Sequence, residues 1–278
     1  MSAISTRPRP QPGSRLPAGH YRFAGVARME WIKLRSLRST RWTAAVMAAG
    51  MIGLGILVLR SYPSHWQHMS AAQKAAFDPV NAGFTGAALG QLAMGLLGAL
   101  VMTSEYSSGM IRATLAAVPN RPLLLAAKAA VFGVAALAVG EFLSFVTFLA
   151  GQETLTSPVP HATLGQPGVL QGVLMTGAYL CLVGLIGMGR GAIIRHSAAA
   201  IAALAGVILL LPPLLVPFPD SVQHAAGRYL PEVIAENSLA ISRPEPFSLS
   251  PWAGLGMLCL YAAAALAAGG LLLTRRDA

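Results

Sequence analysis

The chain has 278 residues, of which 55% are hydrophobic and only 11% are charged, and 20 Lys and Arg against 10 Asp and Glu give it a net charge of +10. Soluble domains carry about 25% charged residues and disordered chains are poor in apolar ones, so this composition excludes both classes. It is typical of an integral membrane protein. The positive excess would also suit a protein that binds nucleic acid or an acidic surface, so its distribution along the chain needs an explanation.

The first 41 residues divide into a tail and a helix. Residues 1–19 are rich in proline and arginine and predict a disordered basic tail. Residues 20–41 have a helical pattern in which Phe23, Val26, Trp31 and Leu34 share one broad face, although Glu30 interrupts it. We expect an amphipathic helix that lies in the headgroup layer before the first membrane span, and an ordinary solvated connector is the alternative.

Six apolar runs follow, and each approaches the roughly 20 helical residues that cross the hydrocarbon core of a bilayer. Because lipid offers no partners to backbone N–H and C=O groups, such runs must be helical. We therefore predict an all-α integral membrane protein whose six-span transmembrane domain covers residues 42–278. Its transmembrane helices are expected at about residues 42–59, 84–102, 123–150, 168–188, 198–216 and 252–274.

Two of the runs contain residues that are unusual in a membrane helix. Lys128 lies near the start of the third run, and we expect its ammonium group to extend outwards to the membrane surface. Pro212 and Pro213 lie in the fifth run and predict a kink or break before Pro217. The outer segment that follows, residues 217–251, mixes proline with apolar residues and connects the fifth span to the sixth.

The basic residues are distributed unequally over the two sides that these spans define. Sixteen of the 20 Lys and Arg fall on the side that holds both termini, the second-to-third connection and the fourth-to-fifth connection. Because basic residues are retained on the cytoplasmic side of a membrane, both termini are predicted to be cytoplasmic. The same distribution explains the net charge of +10 as an orientation signal, so no nucleic-acid partner is expected.

The sequence lacks the common catalytic and nucleotide-binding motifs. It has no phosphate-binding loop, no H-E-x-x-H zinc motif and no G-x-S-x-G nucleophile motif. His65 and His68 have the spacing of a metal-binding pair, but no Asp, Glu or Cys cluster accompanies them, and a solvated loop explains them better. We expect no enzyme activity, no metal site and no cofactor bound by this chain. An intramembrane enzyme is a weak alternative, because no nucleophile and base are paired in the sequence.

The connection between the second and third runs is the most informative segment. From residue 103 to residue 122 it reads T-S-E-Y-S-S-G-M-I-R-A-T-L-A-A-V-P-N-R-P. Thr103 or Ser104 can cap a helix that has Glu105 in its first turn, and the turn around Asn120 can end it. The pattern predicts a helix at about residues 104–117 just under the membrane. Such a helix either docks a partner or is a bare connector.

Three segments resemble bacterial ABC transporter permeases of the second, exporter-like type. They are E-W-I-K-L-R-S-L-R-S-T before the first span, the connection quoted above, and G-M-G-R-G-A-I-I-R-H-S-A-A-A-I ending at Ile201. The resemblance implies that residues 104–117 form a coupling helix that sits in a cleft of a separate ATPase subunit, which binds ATP and Mg²⁺. The coupling residues would be Glu105, Tyr106, Gly109, Arg112 and Leu115.

The same resemblance implies an assembly and a location. Two six-span permeases, as a homo- or heterodimer, would surround a central path in the bacterial cytoplasmic membrane, and the 217–251 segment would hold short helices that cap the exit. Independently of the resemblance, polar side chains inside the spans predict residues on this path or at the dimer seam: Gln91, Glu141, Ser144 and Thr147. Purely structural hydrogen bonds between helices are the alternative explanation for them. An acidic group such as Glu141 costs roughly 3 kcal/mol at mid-membrane depth, so it should face protein or water.

The sequence therefore predicts the permease subunit of an ABC exporter, which forms the substrate path while a separate subunit hydrolyses ATP. A non-transporting membrane scaffold or immunity protein, which docks an ATPase or sequesters a peptide, is the alternative from another class. The substrate is not predicted, because an apolar path suits lipids, peptides and drugs alike.

Overall fold

The computed structural model describes residues 22–36, 38–239 and 249–275, and the predicted tail at residues 1–19 lies outside this part of the chain. Throughout the described part, every regular element is helical and no strand occurs. Its α-helices are α1 (Phe23–Ser36), α2 (Arg38–His65), α3 (Ala71–Ala75), α4 (Pro79–Gly83), α5 (Ala87–Ser107), α6 (Met110–Ala117), α7 (Arg121–Gln152), α8 (Val169–Ile194), α9 (Ser197–Ala205), α10 (Leu211–Leu215), α11 (Asp220–Gly227), α12 (Pro231–Leu239) and α13 (Pro251–Arg275).

Six helical stretches are long and apolar enough to cross a membrane, judged by length and composition. They are Arg41–His68, Pro79–Ser107, Arg121–Gln152, Val169–Ile194, Ser197–Leu215 and Pro251–Arg275. This confirms the predicted all-helical architecture with six long apolar helices. Several of them extend beyond the apolar runs because polar residues continue or cap them. At the start of α7, for example, the side chain of Asn120 accepts a hydrogen bond from the backbone N–H of Leu123 at 3.1 Å.

α8 forms the centre of the bundle and packs most extensively against α5, α13 and α7. Glycines allow the closest of these approaches. A β-carbon at Gly98 of α5 would lie 1.9 Å from the carbonyl oxygen of Gly184, and one at Gly187 of α8 would lie 2.1 Å from that of Gly95. Small residues at such contacts let helix backbones pack closely where lipid supplies no hydrophobic driving force.

The fifth stretch is irregular where its sequence contains two consecutive prolines. Gly206–Leu210 forms a π-helical turn between α9 and α10, and α10 carries Pro212 and Pro213. Because proline has no N–H to donate and its ring crowds the preceding turn, the regular α-helical hydrogen bonding cannot pass through this region, and a π-type turn accommodates the change. The helix ends at Leu215, before Pro217.

α1 packs on α7 through a face that differs from the predicted one. Val26, Glu30 and Leu34, which are four residues apart, are buried. Phe23 and Trp31, which were expected on the same face as Val26, are 46% and 43% exposed. The physical reason is Glu30, which has buried partners on other helices and therefore turns its own side of the helix inward.

The bundle has two ends, which we name after the short helices that they carry. The α6 end contains α1, α6 and the C-terminus of α13, and the α12 end contains α3, α4, α11 and α12. At the α6 end, Arg121 donates a hydrogen bond to the carbonyl of Leu273 at 2.6 Å, and Arg195 donates one to the carbonyl of Leu272 at 3.1 Å. These guanidinium groups satisfy carbonyls that the end of a helix leaves without an internal partner.

Candidate functional site

Four charged side chains meet at the α6 end and form what we call the charge cluster: Glu30 and Lys33 of α1, Glu105 of α5 and Lys128 of α7. The Lys33 ammonium lies 2.9 Å from a carboxylate oxygen of Glu30 and 2.9 Å from one of Glu105. The Lys128 ammonium lies 2.5 Å from Glu30 and 2.7 Å from Glu105. Each lysine therefore bridges both carboxylates, and the cluster joins three helices.

The charge cluster is almost completely removed from solvent. Glu30, Glu105 and Lys128 are 4%, 2% and 3% exposed, and Lys33 is half-buried. Burying an ion is costly unless a partner of opposite charge compensates it. Two ammonium and two carboxylate groups leave the cluster with no net charge, so all four can be buried together. Removing one partner from a buried pair costs about 3–5 kcal/mol.

Lys33, like Glu30, belongs to α1, which is not one of the six long apolar helices. Its partial burial alone would lower its pKa, but hydrogen bonds to Glu30 and Glu105, together with the charges of both carboxylates, raise the pKa above its usual value of 10.5. Lys33 is therefore fully charged at neutral pH. It contributes to stability below its usual pKa, and this contribution is lost as the pH rises through the raised value.

The charge cluster also holds α6. The Lys33 ammonium donates a hydrogen bond to the hydroxyl of Thr114 at 3.2 Å, and Thr114 and Ile111 form the buried side of this short helix. Next to the cluster, Val118 packs with buried residues of α1 and α7. The opposite side of α6 is exposed and includes Arg112. Met110, at the start of the helix, is also exposed, at 40%. α6 thus presents one face outward and has the other fixed to the bundle.

The structure divides the predicted helix at residues 104–117 between two helices. α5 continues through Thr103 and Ser104, which cap nothing, and ends at Ser107. Gly109 follows in a left-handed conformation with φ of +70°, and α6 begins at Met110. Glycine adopts this conformation without the steric cost that a side chain would add. The break at Gly109 explains why the sequence pattern does not form one continuous helix.

The five predicted coupling residues occupy different positions as a result. Glu105 belongs to α5 and is buried in the charge cluster, and Tyr106 is half-buried, with its ring 5.1 Å from the guanidinium carbon of Arg195. Gly109 forms the turn, and Leu115 is half-buried on α6. Arg112 is exposed. Of the five, Arg112 and the exposed Gly109 turn are the ones open to a large partner.

Three members of the charge cluster were missed by the sequence reasoning. Glu30 was interpreted as an interruption of an apolar face, and Lys128 was expected to extend to the membrane surface, whereas its ammonium is buried between Glu30 and Glu105. The sequence did contain a signal: Glu30 lies on an apolar helix face, and Lys128 lies within an apolar run. Opposite charges at unfavourable positions on two predicted helices indicate a pair.

The four predicted polar residues of the spans do not form one site. Ser144 of α7 donates a hydrogen bond to the carbonyl of Val173 in α8 at 2.6 Å, and Thr147 packs beside Gly55 of α2. The half-buried carboxyl group of Glu141 lies against Gly177 of α8. These three therefore contact neighbouring helices of the same chain.

Gln91 of α5 lies elsewhere. Its side-chain oxygen accepts a hydrogen bond from the hydroxyl of Tyr179, and its side chain lines a cavity at the α12 end. This places Gln91 in different surroundings from the polar residues of α7.

The described residues include no group of three or more His, Cys, Asp or Glu side chains placed to hold a metal ion. Of the predicted H-x-x-H pair, the His65 ring nitrogen lies 2.8 Å from the carbonyl oxygen of Ser61 within its own helix. Both cysteines are free thiols, Cys181 buried and Cys259 exposed.

No protein-family model matches the chain, and a search of the curated proteins finds no match.

Proposed function

We propose that the chain is the permease subunit of an ABC exporter and that a separate ATPase subunit docks on α6. The observation that supports this proposal is the attachment of α6 to the charge cluster. This eight-residue helix has an exposed face with Arg112, and its buried face is tied by Thr114 to a charge cluster that joins α1, α5 and α7. A connector that only spans two helices needs no such attachment.

The orientation in this proposal rests on the charge distribution of the sequence. We place the α6 end in the cytoplasm, because the side with both termini carries 16 of the 20 basic residues. α1 then lies at the inner membrane surface, with the exposed Phe23, Trp31 and Ile32 turned towards lipid. The location is the bacterial cytoplasmic membrane. ATP and Mg²⁺ bind to the ATPase and not to this chain.

The charge cluster gives α6 a way to move the membrane helices. A force on α6 passes directly to α5 and α7, because only short turns at residues 108–109 and 118–120 separate them. It also passes through Lys33 to α1. Because separating buried opposite charges is costly, we expect α1, α5 and α7 to move together. Closure of the ATPase on ATP would in this way tilt the helices that surround the path.

A second six-span permease, identical or not, completes the proposed path. Large apolar side chains on α2 are strongly exposed in the single chain: Trp42 is 73%, Val46 65% and Leu57 66% exposed. Lipid or a partner permease must cover them. The ATPase and the second permease are therefore the two protein partners of this proposal.

The first test is reversal of the exposed charge on α6. Arg112→Glu should weaken co-purification with the ABC ATPase of the proposed complex by about tenfold or more, because it puts a negative charge at the centre of the proposed contact. The matched control is Arg35→Glu, which makes the same change at an exposed site on α1. Substrate-stimulated ATP hydrolysis should fall with Arg112→Glu and not with Arg35→Glu.

The outcome that rejects this docking site is undiminished co-purification and ATP hydrolysis in the Arg112→Glu complex. An ATPase that binds the chain through α6, but neither responds to any substrate nor drives transport in vesicles, would instead identify a non-transporting scaffold or immunity protein.

A further inference from the structure

A cavity of about 640 Å³ opens at the α12 end, between the end of α2, the α3–α4 segment, α5, α8 and α12. Its size falls in the range of sites that hold drug-sized molecules, roughly 300–1,000 Å³. The cavity lies at the opposite end of the bundle from the charge cluster and α6. Whatever it binds is therefore recognised by residues that take no part in the proposed docking of the ATPase.

Two acidic side chains of α12 line this cavity, and no described basic residue pairs with either of them. Glu232 and Glu236 lie four residues apart on α12, and neither forms a hydrogen bond or ion pair with another described residue. Among the described residues, no Lys, Arg or His lines the cavity. Burial raises the pKa of Glu232, as expected where no cation compensates a carboxylate. Asp78, the third acid of the lining, has another role, since its carboxylate caps α4.

A buried amide supplies an independent indication of a ligand. Gln91 is 3% exposed and lines the cavity, and its side-chain oxygen accepts a hydrogen bond from Tyr179, which is also 3% exposed. The amide nitrogen of Gln91 has no partner among the described residues. An unused donor at the wall of a cavity is thus suited to an acceptor on a bound molecule.

The remaining wall is aromatic. Tyr62 and Phe77 line the cavity with their ring centroids 4.4 Å apart, and the buried Phe84 is a third aromatic residue of the lining. Aromatic faces attract cations and also cover apolar surface. Carboxylates, aromatic rings and one hydrogen-bond donor therefore surround the same space.

We propose that this cavity is a binding site for an organic cation, an ammonium, phosphonium or guanidinium group carried on an aromatic or apolar body. The carboxylates of Glu232 and Glu236 attract the charge, Tyr62 and Phe77 contact the body, and the amide nitrogen of Gln91 donates to an acceptor where the molecule has one. Binding at this site does not depend on docking of an ATPase, so the proposal stands apart from the proposed transport function.

The test compares two probes that have the same shape and opposite charge. Tetraphenylphosphonium should bind the purified full chain in detergent saturably and with one site per chain, whereas tetraphenylborate should not, because the cavity carries negative charge. Protein-free micelles measure the partitioning of each ion into detergent. Equal saturable binding of both ions, or no saturable binding of tetraphenylphosphonium, would overturn the proposal.

Substitution then locates the site. Combined Glu232→Gln and Glu236→Gln should weaken tetraphenylphosphonium binding by about tenfold or more, because both changes remove a charge and keep the side-chain size. The matched control is Glu153→Gln, an exposed acid at the same end of the bundle that does not line the cavity. Equal affinity of the double variant and the control would place the cation elsewhere and refute this site.

The proposed hydrogen bond from Gln91 to a ligand can be tested with a second probe. Tetraphenylphosphonium has no hydrogen-bond acceptor, whereas rhodamine 6G is a cation of similar apolar character that carries an ester carbonyl. Gln91→Leu should therefore reduce rhodamine 6G binding more than tetraphenylphosphonium binding. Equal losses for both probes would show that the substitution acts on the shape of the cavity and that Gln91 donates to no ligand.

Discussion

Glu105 is the residue on which both lysines of the charge cluster converge, since Lys33 and Lys128 each lie within 2.9 Å of the same carboxylate oxygen. From its position two residues before the end of α5, it links this helix to α1 through Lys33 and to α7 through Lys128. The role of Glu105 is therefore internal. A partner protein could be affected by it only through the helices that it holds.

Glu105→Gln should lower the free energy of unfolding by about 3–5 kcal/mol, because two lysines then share the single carboxylate of Glu30 in a buried site. Chemical unfolding in mixed micelles measures the change. The control is Arg112→Gln, which removes an exposed charge and should change the free energy by no more than about 0.5 kcal/mol.

A compensating substitution separates charge balance from packing. Adding Lys33→Met to Glu105→Gln leaves one lysine and one glutamate in the cluster, and we expect at least half of the lost stability to return. Failure of the double variant to exceed Glu105→Gln would mean that the side-chain shape of Glu105, rather than its charge, stabilises the cluster.

At the level of single elements, Gly109 sets the direction of α6. A β-carbon at this position would meet no atom within 4 Å, so a substitution there is opposed by backbone conformation alone. The left-handed conformation costs an ordinary residue about 1–2 kcal/mol, and asparagine tolerates it better than alanine. The turn is thus a place where backbone strain can be varied without disturbing any packing.

Gly109→Ala should lower the free energy of unfolding by about 1–2 kcal/mol, and Gly109→Asn should lower it less. Thermal unfolding of the two purified variants, compared with the unchanged chain, gives this order. An alanine variant as stable as the unchanged chain would show that residues 108–109 rearrange freely and that α6 is not fixed by its turn.

The six long apolar helices could be predicted because each depends on a continuous apolar run within one segment, such as residues 123–150 for α7. The charge cluster could not, since it depends on which helices are neighbours. Glu30 and Lys128 are 98 residues apart, and nothing local shows that α1 lies on α7. The hydrogen bond between Gln91 and Tyr179 could not be predicted for the same reason, since the two residues are 88 positions apart in the sequence. The glycine at position 109 is typical of a helix end, but the predicted cap at Thr103 or Ser104 pointed to a helix that continues through it.

For the molecule as a whole, the membrane orientation is the prediction on which the roles of both ends depend. The α6 end is expected in the cytoplasm and the α12 end outside, so the cation cavity would open away from the ATPase. Two exposed alanines offer a matched pair of positions: Ala116 on α6 and Ala72 on α3.

Cysteines introduced at these positions in a Cys259→Ala chain should react differently with a membrane-impermeant maleimide. Ala72→Cys should be labelled in intact spheroplasts, and Ala116→Cys only after the membrane is opened, while the buried Cys181 stays unreactive. The opposite pattern would invert the orientation, and labelling of both positions in intact spheroplasts would contradict a membrane-spanning bundle.

The charge cluster also has a consequence for biosynthesis. A chain is made from its N-terminus, so Glu30, Lys33 and Glu105 are synthesised before Lys128 exists. Until the third membrane helix emerges, two carboxylates share one lysine, and α1 has no neutral site in which to be buried. α1, although made before α7, is therefore expected to reach its final position only after α7 has been inserted.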